Sequence, residues 1–289
     1  MDYQDISYQV SDRVATITLD RPEQLNTVTT AMRDELIDAF DQVDADPGVA
    51  AVVVTGRGKA FCAGADISGG AKTFDPQERG WADQVEDFRD GGGLLTLRIF
   101  ACTKPVIAAV NGVAAGLGAT MLLPMDIRVA AESARFGFVF SRRGIVPEAC
   151  ATWFLPRVVG INRALEWAMT GRVFPATEAL QANLIRSVHP SDEVLAAALA
   201  IAHEIVDNAA PVAVAMIRQM MWRLLGAEHP MHAHRLDSKV NFDLGRSADV
   251  AEGIEAFLAK RSPVFAMRMP DDAPRAYPWW HEPEFRPAP

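Results

Sequence analysis

The chain has 289 residues, with 28 lysines plus arginines against 37 aspartates plus glutamates and a net charge of −9. Apolar residues make up 49% and charged residues 22%, which excludes a disordered or fibrous chain. The acidic balance, without any dense lysine/arginine stretch, argues against a nucleic-acid partner.

Val14–Leu19 alternates small and large residues and reads as a strand, closed by Arg21 and Pro22. Met32, Leu36, Ile37, Phe40 and Val43 follow at helical spacing, with Thr30 as the expected N-cap. Residues 49–55 are a run of small and β-branched side chains, the pattern of a strand buried on both faces. Residues 67–82 read as a mobile loop. Gly91, Gly92 and Gly93 break the next helical pattern, which is expected to resume at Leu94. Residues 105–110 and 126–131 are two more buried strands. Residues 106–125 are almost free of charge, but Asn111, Gly112, Gly116, Gly118 and Pro124 interrupt them. A strand, a glycine turn and a short helix fit this run better than a membrane span. Beyond residue 149 the pattern is helical, and a proline- and aromatic-rich tail, expected to drape over a folded surface, ends the chain.

Cys62, Cys102 and Cys150 are odd in number and widely spaced, which excludes a disulfide framework or a CxxC metal site. HExxH, GxSxG and GxxxxGK[ST] motifs are absent, and Met121 stands where a dinucleotide fingerprint needs its third glycine. His229, His232 and His234 read either as metal ligands or as a solvated helix start beside Pro230. No metal, and no cofactor, is expected. No basic region followed by an apolar one opens the chain, so a cytoplasmic protein without a membrane partner is expected.

Two small-residue turns repeat a theme. VVVTG leads to the turn 63–66 and VIAAVNG to the turn 114–118, as in successive turns of one spiral. Such turns can aim backbone N–H groups at an oxyanion, or simply allow close packing.

RPEQLNTV at 21–28, GRGKAFCAGADIS at 56–68 and KPVIAAVNGVAAGLGATMLLPMDIRVAAESARFGF at 104–138 resemble the crotonase, or enoyl-CoA hydratase/isomerase, superfamily over about residues 5–265. The resemblance implies an α/β fold with a ββα spiral core and a C-terminal helical trimerisation region. It also implies an acyl-CoA thioester as substrate, with coenzyme A part of that substrate. The expected divisions are 1–200 for the core, 201–267 for the oligomerisation helices and 268–289 for the tail. A homotrimer or dimer of trimers is expected.

By position in the family motifs, the two N–H groups that bind the thioester oxygen fall on Ala65 and on Leu117, beside Gly116. The glutamate pair of the family's hydratases falls on Thr120 and Phe140, and neither is a carboxylate. RRGIVPEACATWFLP at 142–156 resembles the segment of peroxisomal-type 3,2-enoyl-CoA isomerases that carries a single catalytic glutamate, here Glu148. Val146, Trp153 and Phe140 are expected to desolvate it. Taken without the resemblance, Glu148 reads as a first-turn helix residue favoured by the helix dipole; the segment match turns the reading to catalysis. The favoured reading is a double-bond isomerase; an enoyl-CoA hydratase and a catalytically silent acyl-CoA-binding protein are the alternatives.

In related proteins the CoA cleft is lined at positions that fall here on Gln24, Leu25, Ala63, Asp66 and Ile67. Asp66 reads equally as a cap of its own turn. Phe257 and Lys260 resemble a late aromatic-x-x-lysine pattern that reaches the nucleotide end of CoA. Read without the resemblance, they are a core residue and a solvated charge.

Overall fold

The computed structural model describes residues 3–286. Strands β1 (Ile6–Ser11), β2 (Val14–Leu19), β3 (Ala51–Gly56), β5 (Val106–Val110), β7 (Ile127–Ala131) and β10 (Ser187–His189) form one six-stranded sheet in that order. Only the β1–β2 hairpin is antiparallel. Side chains alternate across it. Val52, Val54, Val106, Ala108 and Val110 enter one apolar cluster with helix α1 (Thr30–Ala45) and helix α2 (Gly91–Ala101). Ala51, Val53, Ile107 and Ala109 enter a second cluster with helix α7 (Val194–Asn208). Covering both faces is what makes the strands read as unbroken apolar runs.

A second sheet holds β4 (Ala60–Cys62), β6 (Val113–Ala115), β8 (Arg135–Gly137) and β9 (Val173–Pro175). Each of β3, β5 and β7 turns a corner into the next strand of this sheet, and a helix follows. The repeat is the ββα spiral expected from the sequence. The corners are tight. A β-carbon on Gly56 would overlap Ala60 O, and one on Gly112 would overlap Lys59 O. Two asparagines stitch them: Gly56 N donates to Asn111 Oδ1 (3.1 Å), and Asn26 Nδ2 donates to the Arg57 and Ala60 carbonyls (3.0 and 2.9 Å).

Helix α3 (Leu117–Thr120) follows β6, α4 (Ala151–Val159) and α5 (Ile161–Thr170) follow β8, and α6 (Ala176–Gln181) follows β9. Helix α7 crosses position 200 and belongs to the sheet's covering layer, so the helices standing apart from the sheet begin with α8 (Pro211–Arg223). Buried Arg218 of α8 donates to Asp126 Oδ2 (2.8 Å) and to the Ile99 and Phe100 carbonyls (2.9 Å each), fastening α8 to the end of α2. Helices α9 (Met231–Leu244) and α10 (Ala248–Ala259) complete the chain of elements. No single helix among the described residues is long and apolar enough to cross a membrane.

The tail is draped, as its aromatics predict. Met269, Tyr277 and Trp279 pack on Met216, Leu236 and Val240, and Arg223 lies 3.4 Å from the Trp280 ring centre. Further on, Phe285 stacks under Arg89 (4.9 Å), and Arg286 donates to Glu86 O (2.9 Å) and pairs with Asp87. The last described residues thus rest on the segment that leads into α2.

Two local expectations shift. The α1 cap is Thr29, whose hydroxyl accepts from Met32 N (3.0 Å), one residue before Thr30. The three glycines are the first turn of α2, not a break before it, because Asp90 caps them.

Candidate active site

Parallel pairing of β4 with β6 brings the two small-residue turns side by side. In the first turn Val28 N donates to Gly64 O (2.8 Å) and Asp66 N donates to Val28 O (3.0 Å). These bonds flank Ala65 and leave its own N–H facing the other way. In the second, Gly116 N donates to Gly137 O (2.9 Å), and Leu117 opens α3 with its N–H free of the helix. Among the described residues neither N–H has a protein acceptor. Gly64 (φ +112°) and Gly116 (φ +52°) sit in conformations that favour glycine and lie against each other: a β-carbon on Gly116 would be 3.7 Å from Gly64 Cα. Gly118 is needed for a third reason, since a β-carbon there would overlap Cys62 O.

Glu148 lies beside this pair. Its Oε1 accepts from the Thr120 hydroxyl (3.0 Å). Its Oε2 occupies the space where a β-carbon of Gly92 would be, and that same β-carbon would be 2.9 Å from Leu117 Cδ1. Glu148 is therefore no first-turn residue. Helix α4 begins at Ala151, and the link runs through Ala149 (φ 58°) and Cys150 (φ 55°), two non-glycine residues in the left-handed region. Such backbone costs of order 1 kcal/mol per residue and needs outside support.

Asp90 supplies that support and was not legible in the sequence. Its Oδ2 accepts from Ala149 N (2.7 Å) and Gly93 N (2.8 Å), and its Oδ1 accepts from Gly92 N (3.0 Å). Burial, and then the charge of Asp90 and hydrogen bonding with it, push the Glu148 carboxyl up to about 8; the Thr120 hydroxyl pulls the other way. Of the expected desolvating groups, Val146 does not serve. Val146 is 78% exposed, and Trp153 packs on Phe100 and Phe154. Gly92, Thr120 and the Leu117 side chain close around the carboxyl. Phe140 is buried in the core. The Cys62 thiol, pushed up to about 12 chiefly by burial, is neutral here.

Of the expected CoA-binding residues, Gln24 and Leu25 form a tight turn, with Leu25 at φ 53°, and Ala63 N donates to Leu25 O (3.0 Å). Asp66 caps its own turn, accepting from Ser68 N (2.9 Å), and pairs with Arg21 (3.3 Å); these bonds hold its carboxylate below the usual range. Ile67 is exposed beside it. Phe257 is 82% exposed on α10, so it is no core residue, and Lys260 is an exposed left-handed C-cap. Among the described residues no hydrogen bond links either to the turns. His229, His232 and His234 sit at an exposed helix start, and no cluster among the described residues could hold a metal.

The sequence model of the enoyl-CoA hydratase/isomerase family matches residues 9–268. The chain belongs to this family. A protein named enoyl-CoA hydratase ACTT3, from Alternaria alternata, is 40% identical over 260 residues, covering 88% of this chain and 83% of that protein. The 1,2-epoxyphenylacetyl-CoA isomerase of Escherichia coli K12 is 36% identical over 266 residues, covering 89% and 96%. A solved enoyl-CoA hydratase/isomerase-type structure from Mycobacterium abscessus aligns with TM-score 0.82 at 36% identity, covering 91% of this chain and 99% of that one. The two-sheet spiral is thus the crotonase fold of these enzymes, and the tail beyond residue 268 lies outside the family match. Within this enoyl-CoA hydratase/isomerase chain, the two positions expected to carry a glutamate pair hold the buried hydroxyl of Thr120 and the buried ring of Phe140.

Proposed function

We propose that this enzyme moves a double bond, converting a 3-enoyl-CoA to a 2-enoyl-CoA, with Glu148 as the sole proton shuttle. The observation that carries the reading is the Glu148 carboxyl, hydrogen-bonded to Thr120 and packed beside Leu117, whose N–H has no acceptor among the described residues. In this reading the thioester oxygen accepts from Ala65 N–H and Leu117 N–H. Removing a proton from C2 moves negative charge onto that oxygen, so fixed donors stabilise the transition state more than the bound substrate. Glu148 takes the C2 proton and returns it to C4, regenerating the carboxylate. A base whose proton affinity is raised to about 8 narrows the gap to a weakly acidic carbon.

Hydration is the second reading, since Asp90 places another carboxylate next to Glu148. Three backbone N–H groups already take acceptor sites of Asp90, which favours a supporting role for this carboxylate over holding an attacking water.

The proposed assembly is a homotrimer or a dimer of trimers. It is supported by apolar side chains left uncovered late in the chain: Ile217 and Met221 on α8 with Leu225 just past its end, along one groove, and Ile254, Phe257 and Leu258 on α10.

The test is to incubate the protein separately with trans-3-hexenoyl-CoA and trans-2-hexenoyl-CoA and resolve the products by chromatography and mass spectrometry. A product of unchanged mass with the bond at C2 is expected from the first. A gain of one water from the second would instead identify a hydratase, and binding of both without turnover a silent acyl-CoA-binding protein.

A further inference from the structure

We propose that Asp90 is the positioning residue of this site: its carboxylate clamps the strained Ala149–Cys150 turn to the start of α2 and so seats Glu148 against Gly92 and Thr120. The three hydrogen bonds to Asp90 come from two segments far apart in sequence, Gly92 and Gly93 on one side and Ala149 on the other. An ordinary N-cap serves only its own helix. The Ala149 bond goes beyond that role, and it falls on the residue directly after Glu148. Ala149 and Cys150 are both left-handed, a conformation that relaxes if nothing holds it. Gly92 completes the arrangement, since any side chain there would displace the Glu148 carboxyl.

The clamp also sets the charge. Asp90 is the charged neighbour that raises the proton affinity of Glu148. The other titratable groups facing Glu148 are the Cys62 thiol from β4 and the Cys150 thiol from its own turn. Both are raised, and so both are neutral. Thr120 contributes a hydroxyl only. Asp90 therefore has two effects on one group: it fixes where the Glu148 carboxyl sits and how tightly it holds its proton. Asp90 does not touch substrate in this account; it acts through Glu148.

The seating of Glu148 is a property of the folded chain, whereas any loss of turnover rests on the isomerase reading above. The experiment uses both readouts. The protonated carboxyl stretch of Glu148 is read by infrared spectroscopy, assigned by difference from Glu148→Gln, and followed with pH in the full chain without substrate. In the parent protein it should disappear with a midpoint near 8. In Asp90→Asn the midpoint should fall by about one pH unit or more, because the neighbouring charge is gone. Turnover of 3-hexenoyl-CoA should fall about tenfold or more, with KM changed less than about threefold.

Asp90→Ser is the second variant. Serine caps a helix well but is uncharged and too short to bridge to Ala149. It should show the same lowered midpoint as Asp90→Asn while keeping its fold. A parent-like midpoint in Asp90→Ser would make Asp90 a helix cap and nothing more, and would overturn the proposal. A parent protein that shows the titration but turns over neither ester would sink the isomerase reading and leave the clamp standing.

Discussion

Gly92 and Glu148 are complementary in shape: the space a β-carbon would take on Gly92 is filled by Glu148 Oε2. Alanine is normally better than glycine inside a helix by about 1 kcal/mol. Gly92→Ala should therefore leave α2 formed but expel Glu148 from its seat, cutting turnover by about 10²-fold or more. Gly91→Ala is the control. Its β-carbon meets only the end of the Arg33 side chain, which can swing aside, so activity should stay near that of the parent. Paired kinetics and circular dichroism on the two variants check this.

Replacing Glu148 by glutamine should lower turnover by about 10²- to 10⁴-fold, the usual contribution of a positioned base. It should also make the protein more stable in mild alkali. The folded chain keeps the Glu148 proton up to about pH 8, while the unfolded chain loses it near the ordinary value of 4.5. The stability from this proton is fully present below 4.5 and is lost as pH rises through 8. At pH 9 Glu148→Gln should exceed the parent by on the order of 5 kcal/mol, and at pH 4 the two should match. Denaturant unfolding across that range gives the answer.

Thr120→Val keeps the shape of a fully buried side chain and removes its hydroxyl. That hydroxyl is the group that eases ionisation of Glu148, so the Glu148 midpoint should move further up. The rising limb of the pH–rate profile should shift to higher pH, and turnover at pH 7 should drop several-fold, on the order of 3- to 10-fold. A profile that stays in place would mean that Thr120 does not control this carboxyl.

Ending the chain at Arg268 would uncover Met216, Leu236 and Val240, which Met269, Tyr277 and Trp279 now cover, and would remove the Arg223–Trp280 stack. A loss of on the order of 3 kcal/mol is expected. It should show as a lower Tm with increased dye binding, while the two-sheet core stays folded.

Much of the spiral can be read from residues that are neighbours in sequence. Each of β3, β5 and β7 is a short apolar run, and each small-residue turn is a local motif whose glycines announce a close approach. The segment around Glu148 singles it out in the sequence, and the fold places it beside the two turns. Asp90 is not legible, because its partner Ala149 is distant in the chain and no periodicity connects a helix cap to a loop across the fold. The triple glycine did carry a signal, which reads as a helix break until the carboxyl lying on Gly92 is seen. The exposure of Phe257 escapes a one-dimensional reading for a related reason. An apolar stripe on α10 looks the same whether its cover comes from its own chain or from elsewhere.

The Thr120 hydroxyl has more than one place to send its hydrogen. Besides Glu148 Oε1, it lies 3.4 Å from Gly116 O and 3.3 Å from Leu117 O. When Glu148 is ionised the hydroxyl donates to it. When Glu148 carries a proton on Oε1 the bond can reverse, with the hydroxyl accepting and turning its own hydrogen to a carbonyl of the second turn. The number of hydrogen bonds is then the same in both protonation states of Glu148. A carboxylate at position 120 would oppose one of the two states. A hydroxyl there can bond to both, donating to the carboxylate and accepting from the protonated carboxyl, with its preference on the side of the ionised form.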